Sequence, residues 1–203
     1  MAIRDSRLWF GPGAGVLLLA GTIAIGLVTP GYSHVRQTVS ELGEVGAPGQ
    51  GAFTILLLAV ASCLLAFAFA VARVLRDAGS SRLPAWFVGA MGASTAGVGL
   101  FAFPHALHNV FGMSELVGYQ APLVAALACW SNPRAKRVVV FSIVMYIAVL
   151  LAIAINLVPV IRPTDAWLQV KPYFGLVQRS LFASWFAWCA GYGLLLMRLV
   201  RAG

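Results

Sequence analysis

The sequence predicts an all-α membrane protein. The expected fold is a six-transmembrane-helix bundle with a short interfacial helix in its first extracytoplasmic loop. Three observations lead there. The 203 residues are 61% hydrophobic and only 10% charged, with a mean hydropathy of +0.89, whereas soluble domains run near 45–50% apolar and about 25% charged. Six apolar stretches are each long enough to cross the hydrocarbon core as a helix, which needs about 20 residues. Finally, the cations cluster in alternate connectors, as the positive-inside rule expects.

The first apolar stretch, Leu8–Thr29, follows Arg4 and Arg7. It is too long for the apolar core of a signal peptide and no small-x-small cleavage site follows, so it reads as a retained membrane helix. The remaining spans are Gly51–Leu75, Ala85–Phe103, Met113–Trp130, Val138–Val160 and Gly175–Val200. Backbone polar groups inside a bilayer must be satisfied within the segment, which makes these helices. None alternates polar and apolar residues as a barrel strand does. The third span repeats Gly89, Ala93 and Gly97 every four residues, a spacing that lets helix backbones approach closely and places this helix in the middle of the bundle. Tyr119, Gln120 and Pro122 in the fourth span, with Asn156 and Pro159 at the end of the fifth, are helix-disturbing residues. They line a cavity or satisfy one another across an interface. Trp9, Trp86, Trp130, Trp167, Trp185 and Tyr173 fall mostly at span ends, as an aromatic belt does. The chain reads as one domain, residues 1–203.

Ten of the fourteen Lys and Arg lie at the termini and in the second and fourth connectors. Arg36, Arg162, Lys171 and Arg179 lie on the other side. Both termini are therefore expected in the cytoplasm of a multi-pass cell-membrane protein. The net charge of +8 is explained by this topology, and nucleic acid is not an expected partner; membrane lipids are. Cys63, Cys129 and Cys189 each sit in an apolar run without a CxxC, which excludes a disulfide framework or zinc knuckle.

The polar chemistry gathers on the expected outer side. The connector between the first two spans, TPGYSHVRQTVSELGEVGAPGQGAF (Thr29–Phe53), is longer than the roughly 2–8 residues that join neighbouring helices in a bundle. Ser33 is placed to cap a helix from His34 to Leu42, which Gly43 would stop. Tyr32, Val35, Val39 and Leu42 would form its apolar stripe, and His34, Thr38 and Glu41 the adjoining polar face. Lying at the interface, the stretch would lid an outward polar cleft and bring His34 and Glu41 toward His105, His108 and Arg179. The plainer alternative is a plug that only closes the bundle.

PGYSHVRQTVSELG followed by GAPGQ resembles the signature of domain-of-unknown-function family 998, small bacterial and archaeal membrane proteins. GLFAFPHALHNVFG and GLVQRSLFASWFAW resemble two later family segments. In this chain FPHALHN is contiguous where the family often carries an Asp-containing insert, so a role for that Asp does not carry over. The resemblance implies a six-helix fold and no established activity.

The candidate polar site is His34, Arg36, Ser40, Glu41, His105, His108, Glu115 and Arg179. Three His on one side of a membrane suit zinc, or two of them haem, although no HExxH or similar spacing occurs. The alternative is loop histidines bonded near headgroups, and no cofactor is expected. Glu115 and Arg179 suggest an ion pair at the outer end of the bundle or, for Arg179, a substrate-anion site. Ser40 beside Glu41 lacks a GxSxG elbow and is not expected to be a nucleophile. No catalytic residue is assigned. The leading function is binding or processing of a lipid or amphiphile at an extracytoplasmic polar cleft, one suited to a phosphate-bearing headgroup. The alternatives are a His-dependent metal or haem enzyme and a non-catalytic transporter or accessory subunit. A transporter is disfavoured by the absence of an internal repeat and of midplane charge.

Overall fold

A computed structural model describes residues 6–161 and 164–201, without the side chains of residues 160, 161, 200 and 201. Arg4 and Arg162 of the charge argument lie outside the described residues, as does the side chain of Arg201. The elements are α1 (Phe10–Val28), α2 (Gln50–Asp77), α3 (Leu83–Leu100), α4 (Ala106–Gly118), α5 (Ala121–Cys129), α6 (Lys136–Asn156), α7 (Asp165–Val170) and α8 (Phe174–Arg201), with short 3-10 turns between them and no strand among the described residues. Six helical stretches are long and apolar enough to cross a membrane: Ser6–Val28, Gln50–Asp77, Leu83–Leu100, Ala106–Cys129, Pro133–Asn156 and Asp165–Leu199. Val16, Leu27, Ile55, Phe69, Val144 and Leu151 stand exposed on the outside. In water that would be an aggregation liability; in a bilayer it is the lipid-facing surface. The chain is a multi-pass membrane protein.

The spans form a sequential ring. α1 packs on α2, α2 on α3, α3 on α4 and α5, α5 on α6, α6 on α8, and α8 back on α1. α3 is thus one wall of the ring, not its centre. Its close approaches are made by Gly92, 3.3 Å from the Ala61 carbonyl at its would-be Cβ, and by Gly97 beneath the Phe111 ring. Gly89, which the small-residue repeat would have placed at a contact, faces only the Ala68 methyl at 3.9 Å. The turn from α2 to α3 is closed by Gly79 at φ +66°. Ser80 N–H reaches back to Leu75 O and Gly79 N–H to Arg76 O, the paired bonds that satisfy the last carbonyls of a helix.

The fourth span begins earlier than hydropathy suggests and is broken in the middle. α4 starts at Ala106, and Tyr119–Gln120 separate it from α5. Pro122 has no N–H, so the Gly118 carbonyl four residues back loses its usual donor. Trp185 Nε1–H fills that vacancy at 3.0 Å, from α8. Trp185 is therefore fully buried inside the ring, not a member of the interfacial belt. Trp9, Trp86 and Trp130 are exposed, as belt residues are.

Candidate functional site

The long connector does not form the expected continuous helix from His34 to Leu42. One helical turn, with Arg36 and Gln37 N–H on Ser33 O, gives way at Thr38, and a 3-10 turn follows at Ser40–Gly43. Side chains displace the helical ladder. Gln37 Oε1 accepts from Ser33 N–H at 2.8 Å, and Glu41 Oε1 accepts from Thr38 N–H and Thr38 Oγ1, each at 2.8 Å. Gln37 Nε2 then donates to Glu41 Oε2 at 2.9 Å, closing the network. Local side-chain bonds of this kind compete with helix. The apolar stripe also divides. Val39 and Leu42 are buried in the bundle core, while Val35 is exposed, so the segment is inserted into the end of the ring.

Arg179 holds it there. Its Nη1 donates to His34 O at 2.9 Å, Gln37 O at 3.1 Å and, within α8, Gly175 O at 3.0 Å. Its Nη2 donates to Tyr32 Oη at 2.6 Å and faces His34 Nδ1 at 3.2 Å. Next to it, Gln178 Oε1 accepts from Val39 N–H at 2.6 Å, and Leu176 N–H donates to Val35 O. Gly175 is required for this fit. A Cβ there would meet the backbone oxygens of His34 and Val35 at 2.6 and 2.9 Å, and that of Gln37 closer still. Gly175, Gln178 and Arg179 lie at i, i+3 and i+4, one face of a helix. The YSHVRQTVSELG and GLVQR segments are two halves of one fastening.

The His34 ring is wedged against Gly26, where a Cβ would clash with Cε1 and Nε2. Its pKa is lowered, first by desolvation and then by the Arg179 charge, with the Ile23 backbone acting the other way. A neutral imidazole leaves Nδ1 free to accept from Arg179. Tyr32, set edge-on to His34, has its phenol pKa raised, chiefly by burial.

Of the eight candidate residues, this brings together His34, Glu41 and Arg179, with Ser40 bonded to Thr38 at 3.1 Å. Arg36 is exposed on the neighbouring surface. His105 and His108 belong elsewhere. His105 Nδ1 accepts from Leu107 N–H at 3.1 Å and caps α4. The buried His108 holds Phe101 O through Nδ1 at 2.8 Å. No hydrogen bond or ring contact joins His34 to either, and among the described residues no three His, Cys, Asp or Glu gather as metal ligands. The expected meeting of the three histidines does not occur. Nor does the Glu115–Arg179 pair: Arg179 spends its Nη donors on loop carbonyls, Gly175 O, Tyr32 and His34, and among the described residues Glu115 accepts only from Tyr119 Oη at 3.4 Å. The anion-binding role expected of Arg179 has its Nη donors committed to the loop and to Gly175 O, while its buried Nε has no partner among the described residues.

Beneath the inserted segment lies a cavity of about 460 Å³. Its walls are largely apolar: Leu18, Phe53, Leu57, Met91, Phe182 and Phe186 among them. Val39 and Ser40 form part of its roof, and Trp185 lines it. The polar residues on it are Ser40, Thr95, His108, Asn109, Glu115, Tyr119, Asn156 and Gln178. Sequence reading had named the loop residues, His108 and Glu115. The reading of Tyr119 and Asn156 as cavity-lining residues agrees with their place on this wall; Gln178 went unnamed, although the i, i+3, i+4 run ending at Arg179 was a visible signal for it.

No curated protein and no solved structure matches the chain. The profile described as "Protein of unknown function (DUF998)" matches residues 13–195, nearly the whole chain and both halves of the fastening, so the protein belongs to the DUF998 family.

Proposed function

We propose that this chain binds a lipid or other amphiphile in the cavity beneath the Thr29–Phe53 segment. The observation that carries this reading is a cavity of about 460 Å³ whose mostly apolar wall is interrupted by a few polar groups, Glu115 foremost. Ligand sites commonly have this make-up: 300–1,000 Å³, apolar, with a small number of placed polar groups that orient the guest. A carboxyl group placed in a membrane span without a cation is a functional-site signal in its own right. The Lys and Arg distribution supports cytoplasmic termini with the roofed end outside, on which reading the guest would come from the outer leaflet. The segment then serves as a roof fixed by Arg179, in place of a flexible lid. Binding is the part of the expectation that this lining supports, and it is the part proposed.

The test is lipid retention. Gly112 lines the cavity, and a Cβ built on it meets nothing within 4 Å, so the side chain of Gly112→Leu starts into open space and is chosen to occupy the cavity. Protein purified in a mild detergent is expected to carry a bound lipid detectable by native mass spectrometry. Gly112→Leu should lose that lipid while remaining monodisperse. Equal retention by both proteins would refute the assignment.

A further inference from the structure

We infer that the head group taken by this cavity is a cationic amine, on a single-chain amphiphile that enters sideways between α4 and the start of α8. The inference rests on the cavity reading above and adds the ligand class and the route.

The route follows from the ring. α5 packs on both α3 and α6 and so closes the half of the ring near the α5–α6 turn. α4 packs principally along α3, and no substantial contact joins it to α6 or α8 among the described residues. The break at Tyr119–Gln120 allows the two halves of this span to diverge in that way. The cavity lies at the resulting gap. His108, Asn109, Gly112, Met113, Glu115 and Leu116 line one edge from α4. Asn156, Leu157, Phe174, Gln178 and Phe182 line the other, from the end of α6 and the start of α8. Met113 and Leu116 are exposed on α4, which in a bilayer puts acyl chains at the mouth. A slot between two membrane helices admits a molecule already dissolved in the leaflet, with no passage of its chain through water.

The head-group class follows from the unused hydrogen-bonding capacity. Among the described residues, Glu115 Oε2 accepts only from Tyr119 Oη at 3.4 Å, at the edge of a hydrogen bond, Oε1 accepts from nothing, and no cation is paired with the carboxyl group. Asn156 spends its Nδ2 on Ala152 O and Val177 O at 2.8 and 3.1 Å, which leaves Oδ1 free to accept. His108 Nδ1 faces a carbonyl, Phe101 O. A carbonyl cannot donate, so Nδ1 carries a proton, and in that tautomer of the neutral ring Nε2 is an acceptor. Three of the cavity's polar residues thus offer acceptors, and one of them is a carboxyl group. Gln178, whose Oε1 is taken by Val39 N–H, offers donors and suits a hydroxyl or carbonyl neighbouring the amine. An ammonium carries several N–H donors and no acceptor. It supplies the countercharge without which a carboxylate in a low-dielectric setting is costly. An anionic head would meet Glu115 with like charge and find no free cation on the wall, since Arg179 is committed to the roof.

The experiment uses the full-length protein in a neutral maltoside detergent and a twelve-carbon alcohol bearing a chain-end diazirine. Light-driven labelling is mapped by mass spectrometry and competed with unlabelled dodecylamine, dodecanol or dodecanoate. The alcohol should label cavity residues, and Gly112→Leu should abolish that labelling. Dodecylamine should compete at least tenfold better than dodecanol, and dodecanoate worst. In Glu115→Gln, labelling should persist and the amine advantage should disappear. If the alcohol fails to label the wild-type cavity, or still labels it in Gly112→Leu, the cavity reading itself falls. If labelling behaves but the amine competes no better than the alcohol in the wild type, the head-group inference falls and the cavity reading stands. The same holds if Glu115→Gln keeps the amine advantage. The wild-type comparison decides the matter even where Glu115→Gln does not fold.

Discussion

Replacing Arg179 by Gln should unfasten the connector without dissolving the ring. Among the described residues, the guanidinium supplies the only strong donors to His34 O and Gln37 O, at 2.9 and 3.1 Å; Gln37 O otherwise keeps a 3.4 Å contact with Tyr32 Oη. Hydrogen bonds from a charged group are each worth about 1.5–3 kcal/mol. Two of them give about 3–6 kcal/mol, and because the segment is half-exposed, water recovers part of that when it lifts. A loss near the lower bound, about 3 kcal/mol, corresponds to roughly a hundredfold change in the docking equilibrium. The spans rest on their own packing and should stay formed. Amide hydrogen exchange reads this directly at Val39 N–H, which is held by Gln178, and at Leu176 N–H, which is held by Val35 O. Both amides are expected to exchange about a hundredfold faster in Arg179→Gln, while amides in the middle of α2 keep their protection. Arg179→Lys offers a point charge in place of the fork and should recover only part of the loss. Unchanged protection at Val39 and Leu176 in a folded Arg179→Gln protein would refute the fastening. So would a uniform loss across all helices.

Gly175→Ala should reproduce the lifted segment by a steric route, because its methyl would be driven into the backbone oxygens of His34, Val35 and Gln37; the readout is again Val39 exchange, and wild-type protection would sink the argument. The lowered pKa of His34 makes docking pH-dependent. The lifted state binds the proton more readily than the docked one, so the docked state is favoured fully above about pH 6.5, the free imidazole value, and loses stability as pH falls through the lowered pKa. Opening at Val39, corrected for intrinsic exchange, should therefore rise between pH 7 and pH 5, and His34→Gln should remove that dependence. Trp185→Phe leaves the Gly118 carbonyl at the break without its donor. It should cost about 1–3 kcal/mol, seen as a lower Tm in detergent, and an unaltered Tm would mean the carbonyl finds another donor. Reporter fusions at Gly49 and Ala135 should lie on opposite sides of the membrane, with Ala135 cytoplasmic; both on one side would overturn the map.

Hydropathy alone sufficed for the number of spans, because an apolar run of the right length has few other uses, though not for where the fourth begins. The disturbance at Tyr119, Gln120 and Pro122 was also legible, since a missing N–H has a local consequence that no packing removes. What pattern reading could not supply was azimuth. Glu115 and Arg179 belong to the same end of the bundle and carry opposite charge, yet they take different partners. Arg179 satisfies carbonyls, which every residue has and which no composition reveals. The helix expected at His34–Leu42 failed for a related reason: its spacing was amphipathic, but Gln37 and Glu41 turn back on the backbone. Trp185 was misplaced because an indole at a lipid interface and one that repairs a proline break look alike in sequence. Gly175, Gln178 and Arg179 were the readable clue, three non-apolar positions on one face of an otherwise oily helix.

The roof is anchored on both banks of the gap it crosses. Val39 is tied to Gln178 on α8, and Val45 N–H is tied at 2.9 Å to Phe103 O, just before α4. Between the two ties the chain turns once through Ser40–Gly43, so its reach falls well short of the roughly 20 Å that six extended residues could span. The connector acts as a tie-bar. The two ties limit how far the start of α4 can lie from α8 by a covalent length, which a single inserted or deleted residue between Val39 and Val45 would change. On the proposed reading, the length of this short piece of chain, and not the cavity wall, bears on the size of what the gap admits.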